Sequence, residues 1–184
     1  MINARQCSIA AAVAASMLVG LSAPASADVD AKRLAEADKN PADWLTYHGS
    51  YKSWHYSGLD QINAANVKNL KVAWSHATPR STRGLQSFPL VVDGTLYYSG
   101  SHNQVFALDG ATGDLIWAYK QKLDEDLVSK QTHSPYNRGL AIGNGNIYMG
   151  TLDGKLVAID MKTGKQKWET PLVDSKKLLS LIHI

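Results

Sequence analysis

From Trp44 onward the chain is a succession of short apolar runs, each bounded by turn formers. Leu90-Val91-Val92, Leu96-Tyr97-Tyr98, Val105-Phe106-Ala107-Leu108 and Leu115-Ile116-Trp117 form one set. Leu140-Ala141-Ile142, Ile147-Tyr148-Met149 and Leu156-Val157-Ala158-Ile159 form a second. Runs this short, separated by turn residues, suit strands better than helices. Asp93-Gly94, Asn144-Gly145 and Asp153-Gly154 stand between them, pairs that accept the positive φ angles of tight primed hairpin turns. The pattern predicts a mostly antiparallel β chain. Ahead of it, residues 28–43 are polar and hold one helix-competent run, Ala31 to Ala37, stopped by the Asn40-Pro41 breaker.

The two sets are copies of one unit. Gly94 to Trp117 aligns without a gap onto Gly145 to Trp168, an offset of 51 residues. Gly94/Gly145, Tyr97/Tyr148, Ala107/Ala158, Asp109/Asp160, Thr112/Thr163, Gly113/Gly164 and Trp117/Trp168 are identical pairs. A four-stranded unit repeating at roughly 40–50 residues is the sequence signature of a β-propeller blade. Such sheets bury their faces only against neighbours, so a partial set is poorly protected. Trp74 lies 43 residues before Trp117 and is expected to close an earlier blade, which brings the count to roughly three. Each unit ends in Ala-x-Asp-x-x-Thr-Gly-x-x-x-Trp, at Ala107–Trp117 and Ala158–Trp168. In that motif Asp can accept backbone N–H bonds, Gly supplies the unusual dihedral, and Trp offers a flat face to the next blade. Asp109 and Asp160 are therefore structural residues, not general acids or bases.

The first 27 residues stand apart. Arg5 is their only charge, Ile9 to Leu21 is an apolar stretch of thirteen residues, and Ala25-Ser26-Ala27 has the small-x-small cleavage pattern. This predicts a secretory signal peptide cut after Ala27 and a periplasmic product. Thirteen residues are too few to span a bilayer as a helix, so no membrane span is expected. The single cysteine, Cys7, falls in the removed segment, which leaves a mature chain without thiol chemistry.

Composition adds only exclusions. Hydrophobic residues make up 45% of the 184 and charged residues 19%, which is globular rather than disordered. Nineteen basic and 16 acidic residues give a net charge of +3 without long like-charge blocks, so nucleic acid is not an expected partner. No His/Asp/Glu cluster has metal-ligand spacing. Asp124-Glu125-Asp126 lacks the alternating ligands and closing Glu of a Ca²⁺ loop. There is no phosphate-binding Gly-rich loop and no nucleophile elbow.

Three groups of residues resemble one known family. The Trp-terminated repeat is similar to the tryptophan-docking motif of quinoprotein alcohol dehydrogenases. The block Trp44-Leu45-Thr46-Tyr47-His48-Gly49, then Tyr56 to Asn63 and Asn66 to Trp74, resembles the opening of mature methanol- and ethanol-type enzymes. Asn137-Arg138-Gly139 is the third match. The resemblance covers about Trp44 to Leu178 and implies the first blades of an eight-bladed propeller. It also implies pyrroloquinoline quinone (PQQ) in the central funnel with Ca²⁺ or a lanthanide. An Asp base would take the alcohol proton while hydride passes to the quinone, with the metal as Lewis acid. Electrons would pass to cytochrome c or to an attached haem c domain. The metal ligands and the Asp belong to later blades, so no catalytic or metal residue is expected in this stretch.

PQQ is a tricarboxylate o-quinone and needs cationic and hydrogen-bonding partners. Arg138 matches the family arginine that contacts the quinone, although a surface or interblade role is the ordinary alternative. Gln86 falls where many members have a Glu against the cofactor; as an amide it lacks that charge and adds two donors. A vicinal disulfide that covers the quinone in many members would fall at Thr132 and His133 and is absent, with His133 a candidate to take its place. His48, His55, His76 and His102 are weaker candidates.

The expected organisation is a signal peptide over 1–27, a polar lead-in over 28–43 and a partial propeller over 44–178. Leu179 to Ile184 resembles the translation of a transposon-type sequencing adapter, CTG TCT CTT ATA CAC ATC, and is expected to be non-native, a short natural strand being the alternative. The reading is an N-terminal part of a periplasmic dehydrogenase that oxidises alcohols to aldehydes, inactive by itself. The competing reading is a non-catalytic propeller scaffold of the outer-membrane-assembly type, which would need neither the Trp44–Trp74 block nor Asn137-Arg138-Gly139.

Overall fold

A computed structural model of the chain describes residues 28–79, 84–123 and 135–173. The expected signal peptide, the tail after 178, Asp124–Asp126, Thr132 and His133 lie outside the described residues. Among the described residues eight strands form two four-stranded antiparallel sheets. The first runs β1 (Leu90–Val92), β2 (Thr95–Gly100), β3 (Gln104–Asp109) and β4 (Leu115–Lys120). The second runs β5 (Ala141–Gly143), β6 (Asn146–Gly150), β7 (Lys155–Asp160) and β8 (Gln166–Pro171). Every strand of the second sheet starts 51 residues after its counterpart, so the sequence repeat is a structural repeat. The register repeats too: Ala107 opposes Trp117 and Ala158 opposes Trp168, with a β-bulge at the next position in both sheets.

Asp93-Gly94 and Asn144-Gly145 have φ of 48° and 78°, and 48° and 69°, the left-handed pair that a two-residue primed turn requires. The Asp109 carboxylate accepts the N–H groups of Ala111 and Thr112 at 2.8 and 2.9 Å, and Asp160 accepts those of Lys162 and Thr163 at 3.1 and 2.9 Å. These bonds hold both carboxyls below the usual carboxylate range, Asp160 at about 2 with Lys167 adding to the effect. Their role is in the turn, as the motif implied.

Burial falls off outward through each sheet. β3 is buried along nearly its whole length, β4 alternates exposed and half-buried residues, and all six residues of β8 are exposed. The contrast follows from stacking: the second sheet covers β4, and no described element covers β8. The Trp117 indole lies on Gly164 and donates its Nε1–H to the Met161 carbonyl at 3.1 Å. A Cβ on Gly164 would sit 2.6 Å from Trp117 Cδ2, so only glycine lets the ring settle there. Trp74 repeats this contact on the first sheet, donating to Gly110 O at 3.2 Å over Gly113. His76 and Thr78 follow on the same face, His76 against Phe106 and Thr78 Oγ1 3.3 Å from the Tyr98 hydroxyl. Residues 74–78 thus take the place of a fourth strand laid on the first sheet. Among the described residues no strand precedes Leu90, and the block from 51 to 73 is exposed throughout.

The polar lead-in packs into the fold. α1 (Ala31–Ala35) starts at Asp30, whose side chain accepts the Arg33 N–H at 2.7 Å, and a 3₁₀ turn over Ala37–Lys39 follows. Val29 is fully buried, and its carbonyl accepts the Asn144 N–H of the second sheet's turn at 2.9 Å. Trp44 pairs with Val91 on the free edge of β1. Arg33 reaches Asp43 at 2.6 Å and Asp93 at 2.7 Å, while Asp43 also accepts from Asn40 and from the Asp93 backbone. Val29, Ala37 and Leu45 join residues of both sheets in one continuous core.

Candidate cofactor-binding end

The strands of each sheet run between two ends. One carries the Asp-Gly and Asn-Gly turns and the lead-in; the other carries 85–89, the β2–β3 turn, 135–140 and the β6–β7 turn. Gln86 and Arg138, 52 residues apart, meet at this second end, where Arg138 Nε donates to Gln86 Oε1 at 3.2 Å. Both side chains are exposed. With Nε engaged, the two terminal nitrogens of Arg138 and the Gln86 amide N–H₂ are donors that face outward. Among the described residues they have no other hydrogen-bond partner.

The backbone beneath is fixed by polar side chains. Ser99, fully buried near the end of β2, donates its N–H to Ser87 Oγ at 2.9 Å. Its hydroxyl lies 2.9 Å from Ser87 Oγ and donates to the Asn137 carbonyl at 3.2 Å. Asn137 Nδ2 donates to Gly150 O at 2.7 Å, and its Oδ1 accepts the Gly139 N–H at 3.1 Å. One loop further on, fully buried Asn103 donates to Gln121 at 2.7 Å and accepts the Leu152 N–H at 3.0 Å. His102 and Asn103 turn β2 into β3 with φ of 58° and 54°, a primed turn without glycine. Sequence reasoning missed Ser99 and Asn103. A small polar residue inside an apolar run and an Asn at a left-handed turn are the only signals either leaves.

The remaining candidates lie elsewhere or do other work. His48 and His55 touch through Nδ1 and Nε2, their rings 4.1 Å apart and perpendicular, with Tyr47 edge-to-face against His48 and tilted against Phe88. His76 packs on aromatic rings, and the His102 N–H donates to Pro135 O at 3.0 Å. Among the described residues there is no group of three or more His, Cys, Asp or Glu that could hold a metal ion. No described helix is long and apolar enough to cross a membrane.

The donors that face outward at this end suit an anionic, oxygen-rich ligand. Residues 44–173 match the family model described as the PQQ glucose/ethanol/alcohol dehydrogenase β-propeller domain. The chain is 39% identical over 163 residues to the dehydrogenase subunit of the quinone alcohol dehydrogenase of Gluconacetobacter polyoxogenes, covering 86% of this chain and 22% of that protein. The crystal structure of quinohemoprotein alcohol dehydrogenase from Comamonas testosteroni superposes with a TM-score of 0.71 at 43% identity, over 78% of this chain and 21% of that one. A europium-containing methanol dehydrogenase gives 0.67 at 36% identity, over 78% and 25%. The chain spans about a fifth of the length of the curated relatives it matches. By the extent of the family match and by the repeat that stacks its two sheets, this chain belongs to the PQQ-dependent alcohol dehydrogenase β-propellers.

Proposed function

We propose that this chain supplies the first blades of a periplasmic quinoprotein alcohol dehydrogenase and, through Arg138 and Gln86, one wall of its PQQ site. The observation that carries the reading is the meeting of these two side chains at one end of the stacked sheets. When bound, PQQ is a two-electron acceptor for oxidation of an alcohol to an aldehyde. The planar Arg138 guanidinium offers its terminal N–H groups to an anionic oxygen. Gln86 accepts from Arg138 Nε, which turns its amide nitrogen outward as a second donor. A Glu at that position would neutralise Arg138; Gln leaves the wall with a net positive charge. The Asn137 and Ser99 bonds beneath hold the loop that carries Arg138.

A metal, Ca²⁺ or a lanthanide, would draw its ligands from other parts of the protein. The acceptor proposed for the electrons is a cytochrome c or a haem c domain of the whole protein. The test is reconstitution of the intact apo-enzyme with PQQ. Arg138→Ala removes a charge-assisted bond of about 1.5–3 kcal/mol and should raise the half-saturating PQQ concentration roughly 10- to 100-fold. Unaltered reconstitution would remove Arg138 from the site.

A further inference from the structure

Gln86 and Arg138 are long side chains on solvent-facing segments, and such side chains lose their pairing unless the backbone under them is held. Their immediate neighbours, Ser87 and Asn137, both bond to Ser99. We infer that Ser99 is the positioning residue of the Gln86–Arg138 pair, fixing the spacing of two segments that no backbone ladder joins. The inference rests on the proposed cofactor wall for its functional meaning, but the geometry it concerns is independent of any ligand.

The proton count shows how the coupling works. Ser99 has one hydroxyl proton, and it is offered to two acceptors, Ser87 Oγ at 2.9 Å and the Asn137 carbonyl at 3.2 Å. Ser87 Oγ accepts the Ser99 N–H as well. The result is a fork centred on Ser99, with one arm on the residue beside Gln86 and the other on the backbone that immediately precedes Arg138. Asn137 extends it, with its amide on Gly150 of the second sheet and its oxygen on the N–H that follows Arg138. Both peptide flanks of Arg138 are therefore tied, one of them through Ser99. Because Ser99 is fully buried, no water competes for these bonds.

Ser99→Ala separates the two segments selectively: the backbone N–H to Ser87 stays, and the link to Asn137 goes. Ser99→Thr keeps the hydroxyl. The experiment follows the Arg138 Nε–H resonance in the ¹⁵N-labelled chain, with the indole N–H signals of Trp74 and Trp117 as reporters of intact sheet stacking. In Ser99→Ala the Arg138 Nε–H is expected to exchange about tenfold faster and to move toward the position of unpaired arginines, as loss of one hydrogen bond implies. Both indole signals should stay, and Ser99→Thr should restore Arg138. An unchanged Arg138 signal in Ser99→Ala overturns the inference.

If the indole signals collapse as well, Ser87→Ala provides the comparison, since it cuts the Gln86 segment from Ser99 by removing the acceptor of both the Ser99 N–H and the Ser99 hydroxyl. A shifted Arg138 with intact indoles then supports the inference, and an unshifted one overturns it. Titration of the intact, unsubstituted apo-enzyme with PQQ tests the underlying reading separately. If the quinone leaves Arg138 unmoved, the cofactor wall fails while the Ser99 comparison keeps its meaning.

Discussion

Arg33 binds two carboxylates at once, and one of them, Asp43, is almost wholly out of water. The pair of carboxylates raises the Arg33 pKa, and the Asp93 backbone N–H and Asn40 amide complete the shell around Asp43. Arg33→Met removes the cation and strands Asp43, so a loss of about 2–4 kcal/mol is expected, read as a lower urea midpoint. Arg33→Met with Asp43→Asn should recover part of it, since no buried charge then lacks a partner. At Asp160 the effect depends on pH. A folded-state value of about 2 against an ordinary 3.8 means that its contribution is complete above about pH 4 and is lost as pH falls toward 2. Asp160→Asn should lower Tm at neutral pH by the equivalent of about 1 kcal/mol, by analogy with a lost cap. The fall in Tm between pH 4 and pH 2 should be shallower in the variant than in the unsubstituted chain.

At the scale of the element, the unit is a four-stranded sheet whose last strand carries a Trp and whose last turn receives one. Gly164→Ala is expected to cost about 1–3 kcal/mol, because the new Cβ meets the Trp117 ring at 2.6 Å and the backbone stands at φ 69°. The check is a fall in Tm with a red shift of Trp emission as the indole lifts off its seat. The strands and their turns were legible because alternation and Asp-Gly or Asn-Gly pairs are local signals. Trp117 was legible as a packing face. That Gly113 and Gly164 are the seats for it was not, since the same glycines are already accounted for by the turn dihedral, and a ring contact leaves no mark on the receiving sequence. The Arg33 clasp was illegible for a similar reason: charges in a polar lead-in have no period, and Asp93 lies 60 residues away. Gln86 and Arg138 came from resemblance alone. Ser99, which joins their two segments, is one small residue in a strand and would look like a tolerated exception to the apolar pattern.

For the whole molecule the lead-in, first sheet and second sheet make one core, and the stretch from Tyr51 to Val72 lies outside it. Tyr56 is 74% exposed and Val72 86%, and Trp54, Leu59, Ile62 and Leu70 in the same stretch are exposed as well. This stretch is expected to be the first site cut by a protease such as chymotrypsin, with the two sheets remaining as the resistant product, since few of its backbone groups are held by the rest of the chain.

The docking contact has a further consequence, because it is polar in the directional sense: a Trp face on one unit meets a Gly seat on the next, and the two are never alike. Contacts of this head-to-tail kind close into a ring or grow without limit as a filament. In this chain Trp117 fills the seat of Gly164, Trp74 fills the seat of Gly113, and Trp168 remains 43% exposed. Among the described residues both glycine seats are therefore filled, and Trp168 is the docking ring without a seat. Trp74→Ala would open the first socket. It should give concentration-dependent oligomers on size exclusion that disappear again when Trp168→Ala is added. Trp74 thus serves the fold as the outer layer of the first sheet, filling a seat that would otherwise stand open.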